Sequence, residues 1–242
     1  MATLFVSDLH LCPERPHGAR LFDAFLAGPA RRAAALYLLG DLFEYWLGDD
    51  DAEEPFNAAI LAALRRLSDS GVALHFMAGN RDFLVGEGFA RAAGLRLLAD
   101  PQRIELNGVP TLLMHGDTLC TDDAAYLVFR AEVRAPAWQR DFLALPLAER
   151  KACVAALRRD SETEKAMKTA AIMDVNEGAV RQALAAHGCR RLIHGHTHRP
   201  AHHLLETAHG AAERWVLPDW HDRGGYLLCD DAGCRLLDWP AG

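Results

Sequence analysis

No stretch of this 242-residue chain approaches the roughly 18 consecutive apolar residues that a membrane-spanning helix requires. Its opening residues, MATLFVSDLH, lack the basic flank and long apolar core of an export signal, so the chain is expected to stay in the cytoplasm. Positive charge is in the minority. The 26 Lys and Arg face 33 Asp and Glu, a net charge of −7 that offers no overall attraction to phosphate backbones, and no nucleic acid partner is expected. The six cysteines (Cys12, Cys120, Cys153, Cys189, Cys229 and Cys234) include no C-x-x-C pair, which excludes the usual thiolate zinc and redox motifs. Cys229 and Cys234 flank the turn DDAG, where a hairpin would oppose them, but without an export signal the expected state of all six is the reduced thiol. Repeats and low-complexity linkers are also missing. With 50% apolar residues, the whole of 1–242 is expected to bury one core as a single enzyme-sized domain with no obligate protein partner.

Short apolar runs alternate with longer helical patterns along the chain. TLFVSD, ALYLLGD, VALHFMAGN, TLLMHGD and RRLIHGH read as strands, while ARLFDAFLAG and PFNAAILAALRRLSDSG read as helices. Toward the C-terminus RWVLP, GYLLCDD and CRLLDW read as short strands joined by turns. The fold class expected is α/β, a layered β-sandwich of two mixed sheets flanked by helices. Residues 121–186 are almost wholly helical in pattern, interrupted by Pro136 and Pro146, and 121–172 is expected to be a helical cap inserted into that body.

Each of the main strand patterns stops at a side chain able to bind metal. Asp8 and His10 stand two apart in SDLHL, hence on one face of an extended segment; Asp41 follows ALYLLG; Asn80 and Arg81 follow VALHFMAG; His115 follows TLLM; and HGHTHRP places His194, His196 and His198 on alternate positions. Taken singly, each motif is ordinary turn or surface chemistry, as Gly-Asn commonly is. Ligands gather at the carboxyl ends of strands in α/β sheets, so the motifs are expected to converge. Asp8, His10, Asp41, Asn80, His115, His196 and His198 are too many ligands for one ion and suit two, with mixed N and O donors favouring Mn, Fe or Zn over Mg or Ca. His194, in phase with the other two, is read as a packing or supporting residue.

D-x-H, G-D, G-N, H-G-D and G-H-x-H in this order resemble the calcineurin-like metallophosphoesterase superfamily. Within it, SDLHL, GDLFEYWLGDD, GNRDF, HGDTLCTDDAAY and HGHTHRP are similar to the patterns of the UDP-2,3-diacylglucosamine diphosphatase family, enzymes of lipid A synthesis. The resemblance implies the metallophosphoesterase fold and two Mn2+ ions per chain. Asp8, His10, Asp41 and His198 would hold one, and Asp41, Asn80, His115 and His196 the other. It implies catalytic roles for Asp41, Asn80, Arg81 and His115, and substrate contacts at Asn80, Arg81, Asp123, Ser161, Lys168 and His196. Lys165 belongs to the same set, although the family pattern there has Asn. The implied reaction is hydrolysis of UDP-2,3-diacylglucosamine to UMP and 2,3-diacylglucosamine 1-phosphate, with a hydroxide generated between the ions attacking the α-phosphorus. The implied location is peripheral, on the cytoplasmic face of the inner membrane.

Arg81 stays protonated at any working pH and cannot serve as a general acid, which suits a phosphate leaving group; its alternative is to pair with the adjacent Asp82. The apolar faces of the insert (AYLVF, FLALPL, AALRR), beside Arg130, Arg134, Arg140, Arg158, Arg159, Lys165 and Lys168, suit acyl chains and an anionic head group near a membrane surface, or simply pack against one another. GDDDAEE reads as a solvated acidic loop; His202, His203, His209 and His221 as surface or packing histidines; Trp46, Trp215, Trp220 and Trp239 as core. Two other functions remain open: a two-metal phosphatase or phosphodiesterase of a soluble nucleotide, with no use for an acyl groove, and a non-catalytic scaffold, which would tolerate loss of ligands that this chain retains.

Overall fold

Neighbouring side chains on a strand leave opposite faces, and in β1 (Thr3–Val6) both faces are covered. Leu4 and Val6 join an apolar layer with the helices, whereas Phe5 joins a second layer between two sheets. β2 (Ala35–Leu39) and β3 (Ala73–Met77) repeat the division: Leu36, Leu38, Leu74 and Phe76 face the helices, and Leu39 and Met77 face the other sheet. These runs are therefore mostly apolar on both faces, without regular polar alternation.

The computed structural model describes residues 2–167, 174–208, 210–221 and 223–240, the side chains of 158–167 excepted. The further strands are β4 (Arg96–Leu98), β5 (Gln102–Leu106), β6 (Val109–Leu113), β7 (Arg191–His194), β8 (Ala201–Thr207), β9 (Gly210–Val216), β10 (Gly224–Asp230) and β11 (Gly233–Trp239). One sheet has the order β11-β10-β1-β2-β3-β4 and the other β5-β6-β7-β9-β8. Both are mixed: β1 to β4 run parallel and are extended by antiparallel β10 and β11, while β6, β7 and β9 run parallel between antiparallel β5 and β8. Helices α1 (Pro16–Ala27), α2 (Pro55–Asp69) and α3 (Glu87–Ala93) cover the first sheet through Phe22, Phe25, Ile60, Leu64 and Phe89. With Val180 and Leu184, α7 (Glu177–Ala186) covers the second. The layered sandwich of two mixed sheets flanked by helices is thus the observed fold. Trp46, Trp215 and Trp220 are buried, and Trp239 packs half-buried against the same core.

Three strands are not expected from the sequence. β4 has only three residues, β5 has an exposed alternate face, and β8 is a half-exposed edge strand containing His202 and His203. None presents the apolar run by which the others are recognised.

Between β6 and α7 the chain forms α4 (Ala124–Val133), α5 (Pro136–Leu143) and α6 (Leu147–Met167). Pro136 occupies the first turn of α5 and Pro146 precedes α6, positions where the missing N–H costs nothing. The acidic loop anchors this helical segment; Asp50, Glu53 and Glu54 are exposed, as its reading as solvated expects, and that reading is corrected at half-buried Asp49 and buried Asp51. Asp49 accepts from the backbone N–H groups of Gly86 and Phe89 at the start of α3 and from the Trp46 indole. Asp50 pairs with Arg150 through both of its oxygens, and Lys151 lies 3.3 Å from Asp51 and from Glu54. Arg150, 2% exposed, also donates to the carbonyls of Leu47 and Leu145. The expectation of six reduced thiols is corrected as well. Cys229 and Cys234 are directly opposed in the β10–β11 ladder and form a disulfide.

Candidate metal centre

The loops leaving β1, β2, β3, β6 and β7 carry the polar residues to one end of the sandwich. Asp8 (φ 55°), His10 (φ 49°), Asp41 (φ 54°), His196 (φ 68°) and His198 (φ 53°) all have left-handed backbones. Side-chain-bearing residues rarely adopt that conformation, and five together indicate strain retained to aim functional groups inward. Two glycines permit the loops to close in. A Cβ on Gly79 would stand 2.2 Å from Asp41 Oδ1, and one on Gly195 would stand 2.2 Å from both Asp8 Oδ2 and Ser7 Oγ.

All seven ligands expected from the sequence come together. His10 Nε2 lies 4.0 Å from Asp8 Oδ1 and 3.9 Å from Asp41 Oδ2, and His198 Nε2 lies 3.4 Å from Asp8 Oδ1. On the other side, His115 Nε2 lies 3.7 Å from Asp41 Oδ1, while Asn80 Oδ1 is 3.0 Å from His115 Nε2 and 2.9 Å from His196 Nδ1. Asp41 stands between the two halves.

Backbone bonds hold the ligands in place. Asp8 Oδ2 accepts from Ser7 Oγ and from the His196 amide, and Asp41 Oδ1 accepts from the Arg81 amide. His115 Nδ1 donates to the Leu39 carbonyl at 2.9 Å, so its Nε2 faces the centre. His194 is buried, and its Nδ1 lies 2.8 Å from the Gly195 carbonyl. Asp82 accepts from the amides of Asp41, Leu42, Phe43 and Gly79. Its carboxylate is committed to the backbone and makes no pair with Arg81, which removes that alternative.

Protonation follows the crowding. Burial lifts the Asp41 carboxyl to about 7, the Asp82 and Asp8 charges adding to it against His115 and Arg81. Asp8 lies far below the usual carboxylate range: burial opposes ionisation, but contact with His198 and the charges of His115, His198 and His10 outweigh it. Burial likewise opposes the charged form of His115, yet Asp41, Asp8 and Asp117 together raise it to about 9. Burial holds His10 and, at about 3, His196 in the neutral form that a metal requires.

The donor set fits divalent metal ions. Asp8 Oδ1 is buried and finds no hydrogen-bond partner, an expensive state for a carboxylate that a cation would relieve. Asp8, His10 and His198 form one group with donor atoms within 4.8 Å of one another, and Asp8, Asp41 and His115 form another. Carboxylate, imidazole and amide donors in this mixture suit first-row transition metals.

Several site residues were not singled out from the sequence. Ser7, Glu44, Asp82 and Asp117 sit inside the recognised motifs, where adjacency to a ligand was the available signal. Asp117 is fully buried and accepts from Tyr126 Oη and Arg130 Nε, both at 2.6 Å; the Tyr126 ring lies over His196 at 6.2 Å. Arg134 donates to the Gly79 carbonyl at 2.7 Å. Arg130 and Arg134, two of the arginines read as head-group contacts, thereby tie α4 to the site. His221, read as a surface or packing residue, lies 3.2 Å from Asp219 beside His198. The signal for both was a second D-x-H spacing, in DWH at 219–221. His202 stacks on Trp215 at 3.8 Å. Asp123 caps α4 by accepting from the Tyr126 amide. Ser161, Lys165, Lys168 and His209, with Arg158 and Arg159, lie outside the described side chains.

Five strand-end loops that present carboxylate, imidazole and amide groups between two mixed sheets define a metallophosphoesterase. The model of the calcineurin-like phosphoesterase family matches residues 1–200, and the chain belongs to that family. Its curated relatives narrow the comparison. The chain is 56% identical over 233 residues to the UDP-2,3-diacylglucosamine hydrolase of Aromatoleum aromaticum, spanning 96% of this chain and 95% of that protein. It is 56% identical over 239 residues to the protein of the same name from Chromobacterium violaceum (98% of each), and 50% identical over 240 residues to that from Escherichia coli (99% and 100%).

Proposed function

We propose that this chain is a metal-dependent hydrolase that cleaves the diphosphate of UDP-2,3-diacylglucosamine into UMP and 2,3-diacylglucosamine 1-phosphate, a step of lipid A synthesis. The convergence of all seven donors carries the reaction class. The substrate rests on the shared name of relatives that align over nearly the whole chain.

Asp8, His10, Asp41 and His198 would hold one Mn2+, and Asp41, Asn80, His115 and His196 the other. Bound there, the ions supply an acidified water and offset the charge that develops on the phosphoryl oxygens. The chain's own groups do the rest. Asn80, pinned between His115 and His196, turns its amide toward the substrate phosphate. Arg81, whose charge acts on both His10 and Asp41, presents a fixed cation to the phosphates. It transfers no proton, and the phosphate leaving group needs none. No side-chain nucleophile is used.

The helices α4 to α6, within 121–172, form a cap that selects the acylated substrate, with Asp123, Ser161, Lys165, Lys168 and His196 completing the head-group contacts. Val128, Phe129, Leu143 and Leu157, four of the five exposed large hydrophobic residues among those described, lie on these helices. They support an apolar, acyl-binding and membrane-facing surface. No described helix is long and apolar enough to cross a membrane. The location proposed with this substrate is peripheral, on the cytoplasmic face of the inner membrane. The test is Mn2+-dependent release of UMP from UDP-2,3-diacylglucosamine in detergent, against UDP-N-acetylglucosamine and a simple phosphodiester, in the wild type and in Asp41→Ala. Turnover of the acylated substrate alone, lost in Asp41→Ala, is expected. Equal turnover of the unacylated sugar nucleotide or of the diester would retain the metal centre and refute the lipid substrate.

A further inference from the structure

His198, Asp219 and His221 form a third group with donor atoms within 4.8 Å of one another, on the outer side of the centre. Its hydrogen bonding argues against a third ion. Arg15 Nη1 lies 3.2 Å from His221 Nδ1, and a guanidinium only donates, so Nδ1 is the acceptor. The ring proton is then on Nε2, 3.2 Å from Asp219 Oδ2. Both ring nitrogens of His221 are engaged, and neither lone pair is left for a metal.

The same contacts describe an arc around the first ion position. Arg15 Nη2 donates to Glu44 Oε2 and to the His10 carbonyl. Glu44 Oε2 stands 3.7 Å from His10 Nδ1, a buried atom without a hydrogen-bond partner, and Asp219 Oδ2 stands 3.8 Å from His198 Nδ1. At the inner end, His10 Nε2 and His198 Nε2 approach to 3.3 Å. Each imidazole thus turns Nε2 toward the centre and Nδ1 toward a carboxylate, the arrangement by which outer groups fix a ligand's tautomer and orientation. The second position is held differently. His115 rests on the backbone carbonyl of Leu39, which no side-chain substitution removes.

We propose that Glu44, Arg15, His221 and Asp219 form a positioning network that aims His10 and His198 at one of the two ions and leaves the other ion independent of it. The inference rests on the two-metal reading. It predicts an asymmetric centre in which one ion is weakened by substitutions that touch no ligand.

The test uses the full chain stripped of metal, as wild type, Glu44→Gln and Asp219→Asn. Each is titrated with Mn2+ by calorimetry and followed by electron paramagnetic resonance. Both variants are expected to keep one ion at wild-type affinity and to bind the second roughly 10- to 100-fold more weakly. They should show an uncoupled Mn2+ signal at concentrations where the wild type shows a coupled pair. Wild-type affinity for both ions in both variants would overturn the network. So would equal weakening of both ions with a lowered melting temperature of the metal-free protein, since that is general structural damage. If the wild type itself takes fewer than two ions, the two-metal reading fails and the network with it, an outcome separate from the first two.

Discussion

Asp82 binds no substrate and no metal in this account, yet its replacement should be among the most damaging in the chain. Its Oδ2 accepts from the Leu42 amide at 2.7 Å and the Phe43 amide at 3.4 Å, and its Oδ1 from the Gly79 amide at 2.8 Å and the Asp41 amide at 3.3 Å. Four donors around one buried side chain demand a group that only accepts. Asparagine keeps one oxygen but turns an NH2 toward the other pair of amides, so one short bond is lost and two donors face a donor. With hydrogen bonds to charged groups at about 1.5–3 kcal/mol and a stranded buried donor at about 1–3 kcal/mol, Asp82→Asn should cost ~2–4 kcal/mol. Alanine strands both pairs and should cost ~4–6 kcal/mol, most of the stability of an ordinary domain. Urea unfolding followed by circular dichroism at pH 7 measures both. Because the Asp41 amide is one of the four donors, Asp82→Asn should also weaken Mn2+ binding in the fraction that remains folded. A loss below about 1 kcal/mol for asparagine would refute the claim that this carboxylate holds the two metal loops together.

Arg150→Met should release the helices after β6 rather than unfold the sandwich. It leaves the Leu47 and Leu145 carbonyls without their donor while Asp50, more than half exposed, returns to water, a loss on the order of 1–3 kcal/mol; limited proteolysis should cut first within 121–172, and cutting elsewhere would count against this anchor. Glu213 lies below its ordinary pKa, because the Arg191 contact outweighs burial, so its stabilisation is complete above the unfolded value of about 4.3 and is lost as pH falls through the lowered folded value. Glu213→Gln should therefore lower stability at pH 7 and flatten its fall between about pH 5 and 3 in acid titration; an unchanged acid slope would contradict the assignment. Adding Mn2+ to the metal-free chain should stabilise it by about 2.7 kcal/mol per ion at a hundredfold excess over Kd, read as a rise in Tm that Asp41→Ala abolishes.

Strands β1, β2, β3, β6 and β7 were legible because each is a largely apolar run, and the ligands were legible because each of these runs ends in a metal-competent residue. The same logic passed over β4, β5 and β8, which are short or exposed along one face. It also misread part of GDDDAEE. Charge pattern alone predicts solvation there, which holds for Asp50, Glu53 and Glu54, but Arg150 and Lys151, about a hundred residues further on, return to pair with Asp50 and buried Asp51. The Cys229–Cys234 bond follows from strand register, which the turn between them suggested without deciding.

By itself, then, the sequence determined the sandwich and which seven residues are available to bind metal, since periodicity and residue chemistry are local properties. Only the tertiary structure decided how they are aimed. The left-handed backbones of Asp8, His10, Asp41, His196 and His198 are stable only because loops from five strands brace one another. The pairing of His198 with Asp219, of His10 with Glu44, and of Arg15 with Glu44 and His221 depends on side chains that meet across the fold, and no spacing along the chain records such contacts.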